Sequence, residues 1–314
     1  MPGRTLDAVL FRSGRVSAVY GCRLGDGLEV AVKVHRAGAD LGHLTAAVHA
    51  QRRLADAGYP CPGPLHGPKV CDGRTVVVES LRAPGEPADA TRPDVRRALA
   101  ESLVEQVALL RAVPPAPLRA GAPAWARYGQ GPWPTPHDPV FDFTDRPARF
   151  AWVDAVAASA AAVLVDAEEP DVVGHSDWSC GNVRVRRSAP CSGHALGEAA
   201  AVVVSAAFDW DSLAARPEAV LAGMSAGSHT LGGSTSTAPP SLEPVSAFLG
   251  DYDRARAARF TVAQRAAAAA AACWVLAYNA RCELSLLGPD AEPADGTALL
   301  ALRLVGRGYL DLDF

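Results

Sequence analysis

The chain has 314 residues, of which 49% are hydrophobic and 20% charged, and its formal net charge is −4. Enough apolar sequence is present to bury a sizeable core, which excludes a chain that is disordered throughout. The charge excludes a globally positive field that could hold a nucleic-acid backbone, so we expect no nucleic-acid partner. A local basic cleft could still hold a smaller polyanion such as a nucleotide. The length suggests two domains or one large one, at roughly 150 residues per domain.

Hydropathy and cysteine usage predict a cytoplasmic protein. The most apolar stretch, residues 266–280, is shorter than the roughly 20 residues that a membrane-spanning helix needs. The N-terminal residues lack the apolar core of a signal peptide. The seven cysteines are odd in number and form no Cys-x-x-Cys pair, which favours reduced thiols over metal ligands. We therefore expect no membrane partner.

The first 80 residues are predicted to be rich in strands. Two β-prone runs, residues 16–24 and 28–35, flank a Gly-Asp-Gly turn at residues 25–27, which is typical of a hairpin. A helix is predicted over residues 40–57, where Gly and Pro then end it. A second hairpin is predicted to turn at the Asp-Gly pair of residues 72–73.

After residue 82 the sequence becomes predominantly helical. Helices are predicted over residues 94–113, 151–166, 245–258 and 261–287. Residues 114–147 are rich in Pro and Gly, but their aromatic side chains argue against disorder and favour a functional loop. We predict an α+β fold with a small β-rich N-terminal lobe, residues 1–82, and a larger helical C-terminal lobe, residues 83–314.

Polar residues suited to metal binding and proton transfer cluster in two neighbouring segments. His175, Asp177 and Asn182 lie in the segment GHSDWSCGNVRV, and Asp209 follows an apolar run over residues 199–208. Mg²⁺ prefers hard oxygen ligands, so one carboxylate and one amide oxygen can hold it against phosphate oxygens. A separate carboxylate can accept the proton of an attacking hydroxyl. The pattern therefore predicts a magnesium–phosphate site.

The pattern His175-x-Asp177-x-x-x-x-Asn182, followed by Phe-Asp-Trp at residues 208–210, resembles the catalytic loop and metal motif of the aminoglycoside phosphotransferase family. That family belongs to the protein-kinase-like superfamily, so the resemblance implies a bilobal fold that uses ATP and Mg²⁺. It implies that Asp177 is the catalytic base and that His175 stabilises the catalytic loop. Asn182 and Asp209 are the implied metal ligands.

The resemblance extends to the nucleotide-binding lobe. By itself, an alternating strand that carries one lysine is more simply an exposed face, but Lys33 lies in the sequence Val-Ala-Val-Lys upstream of the catalytic motif. In the family, a lysine in this position pairs with the α- and β-phosphates of ATP. The segment from Glu79 to Arg82 falls where the hinge between the lobes is expected. Backbone groups near Ser80, Leu81 and Arg82 are then expected to bind adenine.

Two departures from the family pattern affect the nucleotide site. The first hairpin contains Gly14 and Gly21 but no G-x-G-x-x-G sequence, and the helix that follows contains no Glu to pair with Lys33. His49 or Gln51 is expected to face the lysine, or another group holds it. A further departure is the long spacing between the two motifs, where residues 186–200 are predicted to be an inserted loop.

The predicted acceptor is the hydroxyl of a small molecule: an amino sugar, an aminoglycoside-like antibiotic or a related metabolite. Carboxylates pair with ammonium groups, and aromatic faces suit polyhydroxylated or amine-bearing rings. The candidate residues lining the acceptor cleft are Asp138, Asp142, Asp145, Asp211, Asp251, Trp125 and Trp133. Asp211 is expected to support the metal or contact the acceptor, or equally to cap a helix.

Two other function classes stay open. The missing helix Glu and the incomplete glycine loop favour a catalytically weak pseudokinase or a nucleotide-binding regulator. The other alternative is a non-catalytic helical protein in which the motifs arose by chance. The expected oligomeric state is a monomer or a homodimer.

Overall fold

The computed structural model describes residues 3–14, 16–82, 84–129, 133–145, 148–167, 169–188, 200–232, 238–288 and 290–314. The strands are β1 (Leu6–Ser13), β2 (Ala18–Leu24), β3 (Glu29–Ala37), β4 (Pro64–Cys71), β5 (Arg74–Ser80), β6 (Glu86–Pro87), β7 (Asp171–His175), β8 (Val183–Arg187), β9 (Val202–Ala207) and β10 (Leu213–Pro217). The helices are α1 (Leu41–Asp56), α2 (Pro93–Leu110), α3 (Ala116–Ala120), α4 (Ala151–Val165), α5 (Glu218–Ala226), α6 (Leu242–Ala255), α7 (Val262–Leu286) and α8 (Ala298–Val305). Most of the predicted insertion at residues 186–200 lies outside the described residues.

The N-terminal lobe is an antiparallel five-stranded sheet in the order β1-β2-β3-β5-β4. Both predicted hairpins form, because Gly27 and Gly73 adopt the positive φ angles that such turns require. The predicted helix is α1, and it begins after Asp40, whose carboxylate accepts a hydrogen bond from the His43 N–H at 3.0 Å. Strand β1 was not predicted. It is an edge strand whose residues are nearly all exposed, so burial imposes little pattern on its sequence.

The helical lobe is built around α7, whose Ala-rich sequence lets neighbouring helices approach closely. It packs against α4, α5 and α8 and begins with a capping box between Thr261 and Gln264. The approach to α5 is so close that a Cβ on Gly223 would lie 2.1 Å from the Ala268 carbonyl oxygen. The predicted helix over residues 261–287 is thus confirmed, and it forms the core of this lobe.

Two small sheets bring the two polar motifs together. His175 at the end of β7 pairs with Leu213 of β10, and Val183 at the start of β8 pairs with Ala207 of β9. Residues 176–182 connect β7 to β8 and residues 208–212 connect β9 to β10, so both loops cross from one small sheet to the other side by side. Backbone hydrogen bonds join them, from Ser176 N–H to Ser212 C=O (3.0 Å) and from Phe208 N–H to Asn182 C=O (2.8 Å).

In the aromatic segment over residues 114–147, the described residues pack onto the core rather than forming an open loop. Trp133 is buried, stacks on Trp274 of α7 with ring centroids 5.5 Å apart, and donates its indole N–H to Asp154 at 2.6 Å. Phe143 packs edge-on against the same indole. The position of Trp133 therefore does not support the predicted substrate role, since its ring and its polar atom are both used in packing.

One helical stretch, residues 148–165, is long and apolar enough by composition to cross a membrane, with a mean hydropathy of 1.6 and 28% of its residues buried. This corrects the expectation that no segment reaches that length. The buried residues of α4 are Val153, Val156, Ala157, Ala160 and Leu164. They belong to the main core, where α4 packs against α7. Length and composition alone do not separate such a core helix from a membrane span.

His229 is a buried base beneath the first polar loop. Its carbonyl accepts the Cys180 N–H at 3.0 Å, and its Nδ1–H donates to the Ala226 carbonyl at 2.8 Å. Nε2 is buried without a hydrogen-bond partner among the described residues. Burial lowers the pKa of His229 to about 4, so the folded chain holds this ring neutral at neutral pH.

We predict that His229 makes the fold sensitive to acid. The pKa of an unfolded histidine is about 6.5. Between pH 6.5 and 4 this histidine is therefore protonated in the unfolded chain but not in the folded one, and the free energy of unfolding decreases as the pH is lowered. Between pH 7 and 4.5 the expected contribution of His229 is a loss of about 2.5 kcal/mol in the free energy of unfolding. Asp177, whose pKa is raised to about 7, titrates in the same range with the opposite sign, so the contribution of His229 is the difference between the wild-type and His229→Gln curves. Urea denaturation of both proteins across this range measures that difference, and parallel pH curves would contradict the prediction.

Candidate active site

His175 ties the two motif loops together. It is fully buried and its backbone N–H donates to Gln106 Oε1 at 2.7 Å. The Asp177 N–H donates to His175 Nδ1 at 3.2 Å, so the ring must carry its proton on Nε2, which donates to the Phe208 carbonyl at 3.0 Å. Burial lowers the pKa of His175, and the ring is therefore a neutral link between the loops.

Asn182 lies against Asp177 at the end of the first loop. Its Nδ2 group donates to the Asp177 carbonyl at 2.8 Å and to Asp177 Oδ2 at 3.0 Å. With both amide protons directed to Asp177, the amide oxygen Oδ1 is the group left for a cation. Burial, reinforced by the charge of Asp209, raises the pKa of Asp177 to about 7.

Asp209 begins the second loop in a left-handed backbone conformation, with φ 64° and ψ 45°. Such angles are uncommon outside glycine, and strained residues of this kind concentrate at functional sites. One carboxylate oxygen accepts a hydrogen bond from Lys33, and the other accepts one from the Ser212 hydroxyl at 2.8 Å. This backbone conformation costs free energy, and it directs the Asp209 carboxylate towards the cleft.

Lys33 crosses from the sheet to the second loop. Its Nζ forms ion pairs with Asp209 and Asp211. Burial alone would lower the pKa of Lys33, but the two carboxylates raise it well above its usual value. Burial would likewise raise the pKa of Asp209, but the charge of Lys33 holds it well below its usual range.

Asp211 lies next to two histidines that were not predicted from the sequence. His43 of α1 donates Nε2–H to the Asp211 carbonyl at 2.9 Å, and His35 Nδ1 lies 3.7 Å from Asp211 Oδ2. No motif marks either histidine, because both reach the loop only through the packing of the N-terminal lobe. Asp211 itself lies in the 3₁₀ turn Trp210–Ser212.

Helix α1 presents Gln51, rather than a carboxylate, towards the cleft. Gln51 is buried, and its Nε2 group donates to the Pro62 carbonyl at 2.9 Å and to Glu79 Oε2 at 2.7 Å. His49, the other residue expected to face Lys33, lies on the exposed side of the helix.

Two adjoining cavities meet at these polar groups. The first, of about 560 Å³, lies under the sheet and is lined by Phe11, Ala31, Lys33, Glu79, Ser80, Leu81, Arg82, Arg184, Asn182, Phe208 and Asp209, among others. The second, of about 710 Å³, is lined by Lys33, Asp40, His43, Trp125, Arg127, His137, Asp177, Asn182, Asp209 and Asp211, among others. Lys33, Asn182 and Asp209 line both cavities and mark their border.

The wall of the first cavity offers limited backbone hydrogen bonding. The Ser80 N–H donates to the Gly63 carbonyl at 2.9 Å, and the Leu81 N–H donates to the Glu29 carbonyl at 3.1 Å. Within the described ranges, the Arg82 N–H has no such partner. Of the amides of Ser80, Leu81 and Arg82, the Arg82 N–H is thus the one that lacks an acceptor among the described residues.

Gly21 makes room for an aromatic side chain in the roof of the first cavity. β1 and β2 place Phe11 opposite Gly21, and a Cβ at position 21 would lie 2.2 Å from the Phe11 ring. This glycine therefore serves close packing, whereas the sequence indicates only its place in an incomplete glycine loop.

The acidic residues of the second cavity differ from those predicted. Of the five aspartates expected there, Asp211 lines the cavity. Asp138 instead pairs with Arg36 of β3 at 3.0 Å, and Asp251 pairs with Arg96 at 2.9 Å. Asp40, which caps α1, lines the cavity but was not predicted.

The two remaining aspartates lie outside the second cavity. Asp142 Oδ1 accepts hydrogen bonds from Thr144, and the backbone carbonyls of Asp142 and Asp145 accept bonds from Arg281. Both residues therefore stabilise the aromatic segment.

Comparisons with known proteins identify the family and the fold. The model of the APH family, described as the phosphotransferase enzyme family, matches residues 7–193. Comparison with curated protein sequences gives no match. An amicoumacin kinase solved with AMP-PNP and Ca²⁺ is 12% identical with a TM-score of 0.65, covering 96% of this chain and 88% of that one.

Two further solved structures share the fold. A type VIII aminoglycoside-3′-phosphotransferase is 20% identical with a TM-score of 0.51, covering 87% of this chain and 93% of that one. A microcompartment-associated aminopropanol kinase is 15% identical with a TM-score of 0.55, covering 98% and 90%. These likenesses confirm the α+β kinase-like fold. The family model spans more than half of the sequence, and the chain therefore belongs to the phosphotransferase enzyme family.

Proposed function

We propose that the protein is a Mg-ATP-dependent kinase that transfers the γ-phosphate of ATP to a hydroxyl of a small molecule. One observation carries the proposal: Lys33, Asn182 and Asp209 stand at the border of two adjoining cavities, and Asp177 lines the second. A phosphoryl group passing between two substrates needs this arrangement, with charged groups at the border and a proton acceptor on the acceptor side.

The first cavity is proposed to hold ATP. Its volume of about 560 Å³ is in the range of small-molecule sites. Phe11 and Ala31 line it from the sheet and Phe208 from the helical lobe, so an adenine ring can lie between apolar surfaces. The Arg82 N–H supplies a hydrogen-bond donor at the hinge.

The metal is proposed to bind between Asp209 and Asn182. Their carboxylate and amide oxygens are the hard donors that Mg²⁺ prefers, and the amide oxygen of Asn182 is turned away from its hydrogen bonds to Asp177. Among the described residues, no group of three or more His, Cys, Asp and Glu side chains could hold a metal ion. Phosphate and water oxygens would therefore complete the shell. When bound, Mg²⁺ would neutralise part of the negative charge of the phosphates.

Asp177 is proposed to orient the acceptor hydroxyl and take its proton. The hydroxyl oxygen forms a bond to the γ-phosphorus, and the bond from that phosphorus to the β–γ bridging oxygen breaks, which releases ADP. Lys33 holds the phosphates in line, and His175 fixes the backbone of the loop that carries Asp177. The reaction therefore proceeds by positioning and charge neutralisation.

The acceptor is proposed to carry an amine beside its hydroxyl, as in an amino sugar, an aminoglycoside-like antibiotic or a related metabolite. The second cavity is lined by four carboxylates, Asp40, Asp177, Asp209 and Asp211. Asp177 and Asp209 are proposed to act on the hydroxyl and the metal, and Asp211 pairs with Lys33, so Asp40 is the carboxylate of this lining proposed to pair with the amine. Trp125 adds an aromatic face. The names of two similar structures, an aminoglycoside phosphotransferase and an aminopropanol kinase, agree with this class.

The proposal places the enzyme in the cytoplasm, where ATP and Mg²⁺ are supplied, acting as a monomer or homodimer without nucleic-acid or membrane partners. The negative net charge supports the absence of a nucleic-acid partner.

Substitution of the two key aspartates should separate proton transfer from nucleotide binding. Asp177→Asn is expected to abolish turnover almost completely while leaving the Kd for Mg-ATP close to wild type, because the base lies on the acceptor side. Asp209→Ala is expected to weaken Mg-ATP binding as well. ADP release against a panel of amino sugars, aminoglycosides and amino alcohols, with calorimetric nucleotide titrations, measures both effects.

The same panel discriminates the alternatives. An Asp177→Asn protein with full turnover would refute the assigned base. Clear Mg-ATP binding without ADP release for any acceptor would favour a pseudokinase or a nucleotide-binding regulator. No Mg-ATP binding at millimolar concentration would favour a non-catalytic protein in which the motifs arose by chance.

Asp40 provides a test of the amine-bearing acceptor. Asp40→Asn removes the charge but keeps an oxygen that can cap α1, so the fold should be retained. We expect the KM for the acceptor to rise about tenfold with kcat little changed, since a charge-assisted hydrogen bond contributes roughly 1.5 kcal/mol or more. Steady-state kinetics check this. Asp56→Asn, an exposed change at the other end of α1, is the matched control, and an equal KM in all three proteins would exclude Asp40 from acceptor binding.

A further inference from the structure

Glu79 is a carboxylate in the cleft that the proposed reaction does not use. β3 and β5 pair with Lys33 opposite Val77 and Ala31 opposite Glu79. Opposite residues share a face, as do alternate residues along one strand. Glu79 and Lys33 therefore project from the same face of the sheet, and both line one small cavity of about 30 Å³.

Gln51 fixes one side of this carboxyl group. Its two amide protons are used on the Pro62 carbonyl (2.9 Å) and on Glu79 Oε2 (2.7 Å). The other oxygen of Glu79 has no hydrogen-bond partner among the described residues. Gln51, Glu79 and Lys33 thus line a single cavity in which one carboxylate oxygen is unused.

The cavity allows this oxygen to act on Lys33. One water molecule needs about 15 Å³ of such space, so the volume of about 30 Å³ admits a bridging water or a small shift of either side chain. Burial raises the pKa of Glu79, and the Gln51 hydrogen bond and the charge of Lys33 oppose that rise. The lysine therefore already stabilises the ionised carboxylate.

We infer that Glu79 positions Lys33 when ATP is bound, in place of the glutamate that α1 lacks. With Mg-ATP bound, the proposed metal ligand Asp209 would contact Mg²⁺ and would therefore offset less of the positive charge of Lys33. Glu79 is held by the sheet and by α1, independently of the loop that carries Asp209 and Asp211. The inference rests on the proposed function, since it concerns Lys33 as a phosphate ligand.

Binding of ATP and of adenosine to the same variants tests this role without knowledge of the acceptor. Glu79→Gln retains a carbonyl oxygen that accepts the Gln51 hydrogen bond but loses the charge. We expect its Kd for Mg-ATP to rise about tenfold or more, with its Kd for adenosine unchanged.

Glu29→Gln is the matched control, because the Glu29 side chain is exposed on β3 and pairs with Arg23 at 2.9 Å. Wild-type ATP affinity in E79Q would overturn the inference. An equal loss of adenosine affinity would show that Glu79 contributes to binding of the adenine ring, and this result would also overturn the inference. If E79Q does not fold, Glu79→Asp, which draws the charge back by one methylene, must weaken ATP selectively, and unchanged affinity would refute the role. Failure of the wild-type protein to bind ATP would instead overturn the proposed function and the inference with it.

Discussion

The ion pairs between Lys33 and the carboxylates of Asp209 and Asp211 join the two lobes at the bottom of the cleft. Lys33 lies on β3 of the five-stranded sheet, and the two aspartates lie on the loop that follows β9. The ion pairs therefore connect elements that are distant in the sequence. Charges removed from water need partners, which makes this contact costly to disturb. This contact lies where the two cavities meet, since Lys33 and Asp209 line both of them.

Neutral hydrogen bonds hold the loops in the register that these charges require. His175 bonds to both loops with a single proton, and Gln106 of α2 accepts the backbone N–H of the same residue. Because these groups are uncharged and buried, their geometry does not depend on pH near neutrality. Neutral contacts thus support the charged residues at the border, and within the two loops Asp209 is the residue with a left-handed backbone.

Local sequence signals were sufficient for the hairpins, for α1, α2, α4, α6 and α7, and for the motif that carries the family resemblance. Helices α3, α5 and α8 were missed, as was strand β1, which is mostly exposed. In the candidate site, spacing predicted Asp177, Asn182 and Asp209. The contact of Gln51 with Glu79 depends instead on packing within the N-terminal lobe, and the contacts of His35 and His43 depend on how that lobe packs on the second loop. The acidic lining was predicted poorly because loop aspartates can pair with distant arginines, as Asp138 does with Arg36. No local pattern encodes such pairs.

The contact between Phe11 and Gly21 has a consequence for the first cavity. The ring fills the space that a side chain at position 21 would need, so a larger residue 21 requires the Phe11 ring to rotate away or residue 11 to be smaller. Phe11 is 42% exposed, so its ring has room to move towards solvent. Because Phe11 lines the first cavity, a substitution at position 21 would change the shape of that cavity.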